Sequence, residues 1–390
     1  MLNVSKNSVR RMLPILAMFS GSAAYAGATI SIGEDKSVSV GLGFISSFYS
    51  QEKAAANGGR SKDFSLDSAR IYLGGTLNKN IKGMLNTEKT SDDRAMIIDA
   101  NVQFELTPEI AIWAGRFLSP SDRANMAGPY YSMGGGYWSN IASRYGWNGG
   151  IIGRDEGVAL VANAFEGKVS YSFGVFDGDN IFKLSGINAQ SESSAAAKTL
   201  KMGDNLMYAG RLQLDFWDAE PGYYGTGNYF GAKDILAIGL AGRHKSDGAI
   251  STTLKGDYYS YSADFLMEKK NIGPGTVSLE GAYYKYETDD VFLGEQGNAY
   301  SVGAAYLFNH KTGWGQFMPF VRYQKFDADG KTDATGVNIL SSDYDTKRME
   351  FGVNYVIEPY NTLISATYGN TDVTDQSAID DFRVALQVQF

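Results

Sequence analysis

The sequence predicts an all-β fold, a 16-stranded antiparallel transmembrane β-barrel, from three observations. Residues 1–26 have the pattern of an export signal, and after them no apolar run is long enough for a membrane-spanning helix. Polar and apolar residues alternate in segments of about ten residues, the unit expected of a membrane barrel. Since a chain without such a helix spans a bilayer only as a closed barrel, the three observations favour one architecture.

Residues 1–26 have the parts of a secretory signal peptide. Basic residues precede a short apolar region at 12–19, and Ala-Tyr-Ala at 24–26 supplies the small residues of a cleavage site. We expect cleavage after residue 26, which leaves residues 27–390 as a single barrel domain. A buried N-terminal helix is the alternative.

Composition excludes several classes of function. The chain has no cysteine, so neither disulfides nor thiolate chemistry is available to it. Removal of the signal segment, with its three basic residues, takes the net charge from −8 to −11. Nucleic-acid binding needs a basic footprint, so an acidic exported chain is a poor candidate for it.

Alternation of apolar and polar residues indicates sixteen strands. In residues 96–106, for example, apolar side chains occupy every second position. The predicted strands lie near 38–49, 64–77, 81–89, 95–106, 109–118, 154–165, 168–176, 205–217, 233–244, 256–268, 275–286, 297–308, 315–325, 346–357, 360–369 and 380–390. An even number is usual for bacterial barrels.

The connections between these strands predict the orientation. Connections after even-numbered strands are mostly short, and those after odd-numbered strands are mostly long and polar. Short periplasmic turns and long external loops give this pattern, with both chain ends in the periplasm. Residues 218–232 are the exception, a long connection on the short side. Either the strand boundaries there are wrong or this turn carries a small subdomain.

The chain ends on the alternating segment 382–390, whose last residue, Phe390, is on the apolar side. A terminal strand that closes a barrel pairs with the first strand and faces lipid. Tyrosines at the ends of the apolar faces fit the aromatic girdles at the two membrane interfaces. The terminal aromatic also resembles the assembly signal that bacterial outer-membrane barrels carry for their insertion machinery.

Residues 119–153, called loop 3 below, form the third long external connection. Loops of this length without regular structure are usually functional. Glycines and aromatic residues suit packing against an inner wall, so we predict that loop 3 folds into the lumen and narrows it. An external lid with solvated charges is the alternative. The predicted constriction residues are Arg116, Asp122, Arg123, Tyr130, Tyr131, Arg144, Arg154, Asp155 and Glu156.

Three short motifs resemble the phosphate-selective porins of the bacterial outer membrane. They are DSARIYLGG at 67–75, IAIWAGRFLSPSDR at 110–123 and GRDEGVAL at 153–160. The resemblance implies a channel that assembles as a homotrimer, a state that small residues at lipid-facing positions also favour. In that family an arginine ladder and a lysine cluster select phosphate. Loop 3 contains no lysine, which departs from that pattern.

Charged residues of both signs fall on the inward side of the predicted strands. They are Arg70, Asp99, Glu105, Arg211, Asp215, Arg243, Asp264, Glu280, Arg322, Arg348 and Glu350. The acidic chain as a whole favours cations, but field focusing gives most weight to charges at the narrowest point. The arginines of loop 3 therefore predict passive diffusion of small hydrophilic solutes or ions, with mild anion preference and phosphate as a candidate. The alternatives are an unselective or cation-preferring channel for sugars, amides or carboxylates, and a barrel that acts as a scaffold for a partner protein.

Catalytic and metal chemistry have little support in the sequence. Its two histidines, His244 and His310, fall at opposite ends of the predicted barrel, separated by a hydrocarbon core of ~30 Å. Residues 177–180 and 327–333 have oxygen ligands that could hold calcium, but Asp-Gly turns are common in solvated hairpins. We expect no enzyme activity, no cofactor and no metal.

Overall fold

The structure is a computed structural model, and it describes residues 27–32, 35–89, 93–135, 141–144, 153–178, 193–220, 222–332, 337–340 and 344–390. The predicted signal peptide lies outside these residues. No helix in the described part of the chain is long and apolar enough to cross a membrane.

Sixteen long strands form the body of the molecule and are numbered β1 to β16 in chain order. Their bounds are Ser37–Gln51, Asp63–Asn78, Ile81–Lys89, Ala95–Thr107, Ile110–Leu118, Arg154–Ala164, Val169–Phe176, Met207–Asp215, Ile235–Ile250, Lys255–Ile272, Gly275–Glu287, Gly297–Phe308, Gly315–Ala328, Asp345–Glu358, Thr362–Val373 and Ile379–Gln389. Each overlaps one predicted strand, so alternation alone located all sixteen.

The sheet closes on itself. Each strand pairs antiparallel with the next, and β16 pairs with β1 from Gly43 opposite Gln389 to Gln51 opposite Asp381. Two short strands extend the sheet: Ala28–Ser31 pairs with the start of β1, and Lys311–Thr312 pairs with the start of β13. The predicted 16-stranded antiparallel barrel is confirmed.

The two faces of the sheet have opposite polarity. On β10, the outward-facing Tyr261 and Phe265 are exposed. The inward-facing Ser262 and Asp264 of the same strand are buried. The same alternation recurs around the barrel, so apolar residues cover the outside, and polar and charged residues line the inside together with apolar clusters such as the one that contains Trp113 and Phe117. Such a distribution matches a bilayer outside and water inside.

Connections differ between the two ends of the barrel. On the side of the chain termini, β2 is joined to β3 by residues 79–80 and β10 to β11 by residues 273–274. On the opposite side, loop 3 joins β5 to β6 and residues 177–206 join β7 to β8. That second connection contains a short helix, Ala195–Thr199. The connection between β8 and β9, residues 216–234, is long although it lies on the side of the termini.

The C-terminal residue takes part in barrel closure. The backbone N–H of Phe390 donates to the carbonyl of Leu42 over 2.8 Å, and the backbone N–H of Leu42 donates to the carbonyl of Phe390 over 2.6 Å. The Phe390 side chain is 54 % exposed, like the outward-facing Phe382 and Leu386 of β16. The terminal aromatic residue therefore lies on the outer surface of the barrel, as its position in the alternating segment predicted.

Candidate pore constriction

Loop 3 leaves the wall after β5, and its described residues contact inward-facing side chains. Arg243 of β9 donates to the carbonyls of Ser119 and Pro120 over 3.3 Å each. Asn354 of β14 donates to the carbonyl of Met133 over 2.9 Å. These strands lie on different sides of the barrel, so this part of loop 3 runs along the inner side of the wall.

A single-turn helix, α1 (Arg123–Ala127), forms in this part of loop 3, and all its residues are buried. Its N-cap is Asp122, whose carboxylate accepts a 3.4 Å hydrogen bond from the backbone N–H of Asn125. An acidic N-cap satisfies one of the free N–H groups of a first helical turn. The helix ends at Gly128, whose φ of 66° is readily adopted by glycine.

The Asp122 carboxylate also ties loop 3 to the wall and to itself. The hydroxyl of Tyr284 on β11 donates to Asp122 Oδ2 over 2.9 Å, and the hydroxyl of Ser143 donates to Asp122 Oδ1 over 3.1 Å. Burial raises the pKa of Asp122, and the neighbouring Asp264 carboxylate raises it further. Asp122 therefore anchors the loop through hydrogen bonds.

Arg123 lies inside the barrel with its side chain 4 % exposed. Its backbone N–H donates to Asp264 Oδ2 on β10 over 3.1 Å, and its Nε lies 3.7 Å from Asp264 Oδ1. The same carboxylate accepts two hydrogen bonds, of 2.6 and 2.9 Å, from Arg211 on β8. Arg211 also donates to the carbonyl of Ser121 over 3.1 Å. One wall carboxylate and one wall guanidinium thus hold the start of α1.

A second segment, which was not predicted to lie at the constriction, meets loop 3 at Arg123. It is the tip of the β8–β9 connection, residues 219–233, called the 219–233 insertion below. Arg123 Nη1 donates to Glu220 Oε1 over 2.8 Å, and Nη2 donates to Glu220 Oε2 over 2.6 Å. The unusual length of this connection was visible in the sequence, but nothing in the sequence indicated that Glu220 points inward.

The two predicted tyrosines of loop 3 contact the opposite wall. The hydroxyl of Tyr130 lies 3.0 Å from Ser68 Oγ on β2, and Gln387 of β16 donates to the carbonyl of Tyr130 over 3.0 Å. The hydroxyl of Tyr131 accepts a 3.3 Å hydrogen bond from Gln389. Loop 3 is thereby fixed to the strands that close the barrel.

Arg144 lies further along loop 3, against the wall formed by β11 to β13. Its backbone N–H donates to the Tyr286 hydroxyl over 2.9 Å, and its guanidinium carbon lies 4.1 Å from the ring centre of Phe326. The guanidinium forms an ion pair with Glu295, with Nε donating over 3.2 Å. A carboxylate therefore neutralises this predicted arginine too.

Arg154 and Asp155 begin β6, where loop 3 rejoins the wall, and both are buried. Arg154 Nε donates to Asp99 Oδ1 on β4 over 3.2 Å. Asp155 accepts backbone hydrogen bonds of 2.9 Å from Glu156 and 2.8 Å from Gly178. Asp99, predicted to face the lumen, and Arg154, predicted to lie at the constriction, thus form an ion pair.

Arg116 and Glu156 do not lie at the constriction, which corrects the sequence-based assignment. On β5, Trp113 and Phe117 are buried on the inner side, so strict alternation places Arg116 on the outer side. Glu156 is opposite Arg116 in the register and forms an ion pair with it. Their side chains are 32 % and 41 % exposed, so the pair lies on the outer surface near the loop 3 end of the barrel.

The other predicted inward residues lie on the inner side of the barrel, mostly in ion pairs. These pairs are Arg70–Glu88 at 2.6 Å, Arg322–Glu350 at 2.6 Å, Arg348–Asp381 at 2.5 Å, and Lys82–Glu105. Asp215 accepts a 2.7 Å hydrogen bond from the backbone N–H of Glu220. Glu280 is 5 % exposed, and its Oε1 has no hydrogen-bond partner among the described residues.

The buried ionisable side chains of the described interior are mostly acidic. Among the buried side chains of the described residues, eleven are carboxylates and seven are basic. Most of the basic groups face a carboxylate, so little uncompensated positive charge remains along the described wall. The arginine ladder that the resemblance to phosphate-selective porins implies stays a prediction.

The residues considered for other chemistry lie apart. His244 is on β9 near its loop 3 end, 3.5 Å from Asp257, and His310 is in the exposed turn after β12 on the opposite side. Asp327, in one candidate calcium loop, pairs with Lys325 at 2.5 Å. Residues 179–180 and 333 of the two candidate loops lie outside the described residues. Within the described chain, no group of three potential metal ligands is close enough to hold an ion.

Comparison with known proteins identifies structures of similar fold. The anion-selective porin from Comamonas acidovorans has a TM-score of 0.59 at 16 % identity, covering 91 % of this chain and 100 % of that one. The trimer form of OmpT, an outer membrane protein of Vibrio cholerae, has a TM-score of 0.56 at 12 % identity, covering 92 % and 100 %. The outer membrane channel DcaP of Acinetobacter baumannii has a TM-score of 0.57 at 11 % identity, covering 93 % and 99 %. No family model matches the chain, and no curated protein matches it. At these identities the likeness establishes the fold.

Proposed function

We propose that this protein is an outer-membrane porin, a channel for passive diffusion of small hydrophilic solutes and ions. The closed sixteen-stranded barrel with an apolar outside and a polar inside carries this proposal. The similar structures include an anion-selective porin and an outer membrane channel, which supports the same function. The partners would be the lipid bilayer, the barrel assembly machinery and two further copies of the chain in a trimer.

In this proposal loop 3 and the inner wall together set the width of the pore. The helix α1 is held by Asp264, Arg211 and Glu220, so it has a fixed position in the lumen. A fixed constriction with charged walls determines which solutes pass and how fast. Loop 3 is therefore one selective element of the channel.

The charge balance of the lumen favours cations over the anions that the loop 3 arginines alone suggested. Arg123 faces Glu220, and Arg144 faces Glu295, so each presents little net charge to a passing ion. Carboxylates outnumber basic groups among the buried side chains of the described residues, and such an excess favours cations in the lumen. We therefore propose a weakly cation-preferring channel, and we do not propose phosphate as its solute.

Planar-bilayer recording in a KCl gradient tests the proposal. The purified protein should open channels whose reversal potential favours K⁺. Detergent without protein is the control. Open channels with an anion-favouring reversal potential would contradict the selectivity. No conductance from correctly folded protein, together with no swelling of sugar-containing proteoliposomes, would contradict the porin function and favour a scaffold.

A further inference from the structure

The 219–233 insertion is not needed to connect its two strands. The backbone N–H of Phe216 donates to the carbonyl of Leu236 over 2.8 Å, and that of Asp218 donates to the carbonyl of Asp234 over 2.9 Å. The antiparallel ladder of β8 and β9 is thus complete up to Asp218 and Asp234. A two-residue turn at this point would close the hairpin, so the residues between them serve another purpose.

One side of the insertion packs against β5, the strand that precedes loop 3. The hydroxyl of Tyr223 donates to the carbonyl of Leu118 over 2.6 Å, at the point where β5 ends and loop 3 begins. Its ring centre lies 4.7 Å from that of Trp113 and 5.9 Å from that of Phe117. The insertion therefore extends from the end of the barrel that holds the termini to the level at which loop 3 leaves the wall.

The other side of the insertion contacts the neighbouring strands β10 and β11 and, further around the barrel, the turn between β14 and β15. The backbone N–H groups of Tyr229 and Gly231 donate to Glu268 on β10 over 2.8 and 2.6 Å. The side chain of Asn228 donates to Ser278 on β11 over 3.0 Å. The hydroxyl of Tyr360, in the turn between β14 and β15, donates to the Asn228 carbonyl over 2.7 Å. The insertion thus spans the lumen from β5 to the β14–β15 turn.

Between these two sides the insertion contacts loop 3 directly. The Glu220 carboxylate accepts hydrogen bonds from both Nη groups of Arg123. The carbonyl of Thr226 accepts a further 2.9 Å hydrogen bond from Arg123 Nη1. The backbone N–H of Gly227 donates to the carbonyl of Tyr131 over 2.8 Å. Glu220 is 7 % exposed, and the Tyr229 hydroxyl donates to it over 2.7 Å.

We propose that Glu220 is a selectivity-determining residue of the channel and that the 219–233 insertion is the second half of its constriction. This inference rests on the proposed porin function. Loop 3 enters the lumen from one end of the barrel, the insertion enters from the other, and the Arg123–Glu220 ion pair joins them. Glu220 holds the insertion in the lumen, and it neutralises the guanidinium of Arg123.

Neutralisation by Glu220 has a direct consequence for ion preference. A guanidinium whose two Nη groups face one carboxylate adds little to the field along the pore. Loss of the Glu220 charge would leave Arg123 as a buried cation whose remaining ion-pair partner among the described residues is Asp264, which it shares with Arg211. The lumen would then attract anions more strongly than in the natural protein.

The first test compares Glu220→Gln with Asp218→Asn in planar bilayers. Both variants lose one carboxylate of the same connection, but Asp218 is exposed and bonds only the backbone of Asp234 among its described contacts. Glu220→Gln should move the reversal potential towards anions, and Asp218→Asn should leave it unchanged. Glu220→Asp, which keeps the charge, should retain the natural ion preference. An unchanged reversal potential in Glu220→Gln would overturn the role of Glu220.

The second test replaces residues 219–233 by Asn-Gly. Since the ladder already closes at Asp218 and Asp234, the barrel should keep its strands, which a heat-dependent gel shift would verify. Single-channel conductance should rise at least about twofold, because an obstacle that spans the lumen is removed. Natural conductance in the folded replacement would overturn the assignment of the insertion to the constriction.

Hydrogen exchange separates failure of this inference from failure of the proposed function. Glu220→Gln should increase amide exchange in residues 119–135 of the detergent-solubilised barrel, and Asp218→Asn should not. This readout does not depend on conduction. If the protein conducts no ions but the two variants differ in exchange as expected, the contact between loop 3 and the insertion is supported and the proposed porin function is contradicted. Equal exchange in both variants would refute the docking.

Discussion

At the scale of single residues, the arginines of the lumen hold segments in place. Arg123 joins the insertion to α1, Arg243 holds the start of loop 3, and Arg144 joins loop 3 to Glu295. Removing one member of a buried ion pair typically costs about 3–5 kcal/mol, because the other charge is left without compensation. The positions of these arginines are therefore set by their partners, and so is the field that a passing ion meets.

Substitution of Arg144 tests this view at the loop 3 end of the pore. Arg144→Gln leaves Glu295 without its cationic partner, so the reversal potential should shift further towards cations. Lys285→Gln is the matched control. It also removes one positive charge beside a carboxylate, that of Glu287 at 2.7 Å, but Lys285 lies on the outward-facing side of β11. A shift of equal size in both variants, measured in the same KCl gradient, would show that position in the lumen is irrelevant.

At the scale of elements, the last strand links assembly to closure. Phe390 exchanges two backbone hydrogen bonds with Leu42 and exposes its ring on the outer surface. The ring contributes to the outside of the barrel and has no position in the lumen. Its effect should therefore fall on insertion and closure rather than on transport.

Deletion of Phe390 should lower the amount of folded barrel in the outer membrane several-fold. The barrels that do form should have the natural single-channel conductance, because the lumen is unchanged. Quantification of the heat-resistant form in membrane fractions, followed by bilayer recording of that form, measures both effects. A conservative variant, Phe390→Tyr, should assemble normally. Natural membrane levels of the deletion variant would contradict the role of Phe390 as an assembly signal.

At the scale of the whole molecule, the proposed porin function predicts a homotrimer. A barrel with an apolar outside can bury part of that surface against neighbouring copies. Native mass measurement in mild detergent should give three times the mass of the mature chain, and circular dichroism of the same sample should show mainly β-structure. A monomer under these conditions would refute the trimer, and a largely helical spectrum would contradict the fold.

The sequence predicted the strands more accurately than it predicted which residues line the lumen. Period-two alternation is a local property, so each of the sixteen strands was recognisable from its own residues. The side on which a residue faces follows from the same alternation, and Arg116 shows the consequence of departing from it. Trp113 and Phe117 take the inner positions of β5, which places Arg116 on the outer side. Its closeness to loop 3 in sequence had suggested a position at the constriction.

By itself, the sequence determined that this chain forms a closed barrel with apolar residues outside and polar groups inside, and that strand β16 closes the barrel. These properties depend on composition and on neighbouring residues along the chain. Only the tertiary structure decided which charges meet. The pairing of Arg123 with Glu220 joins two connections from opposite ends of the barrel, and such contacts depend on how loops fold back into the lumen. No periodic pattern governs that folding, because it is set by the shape and charges of the wall that the loops meet.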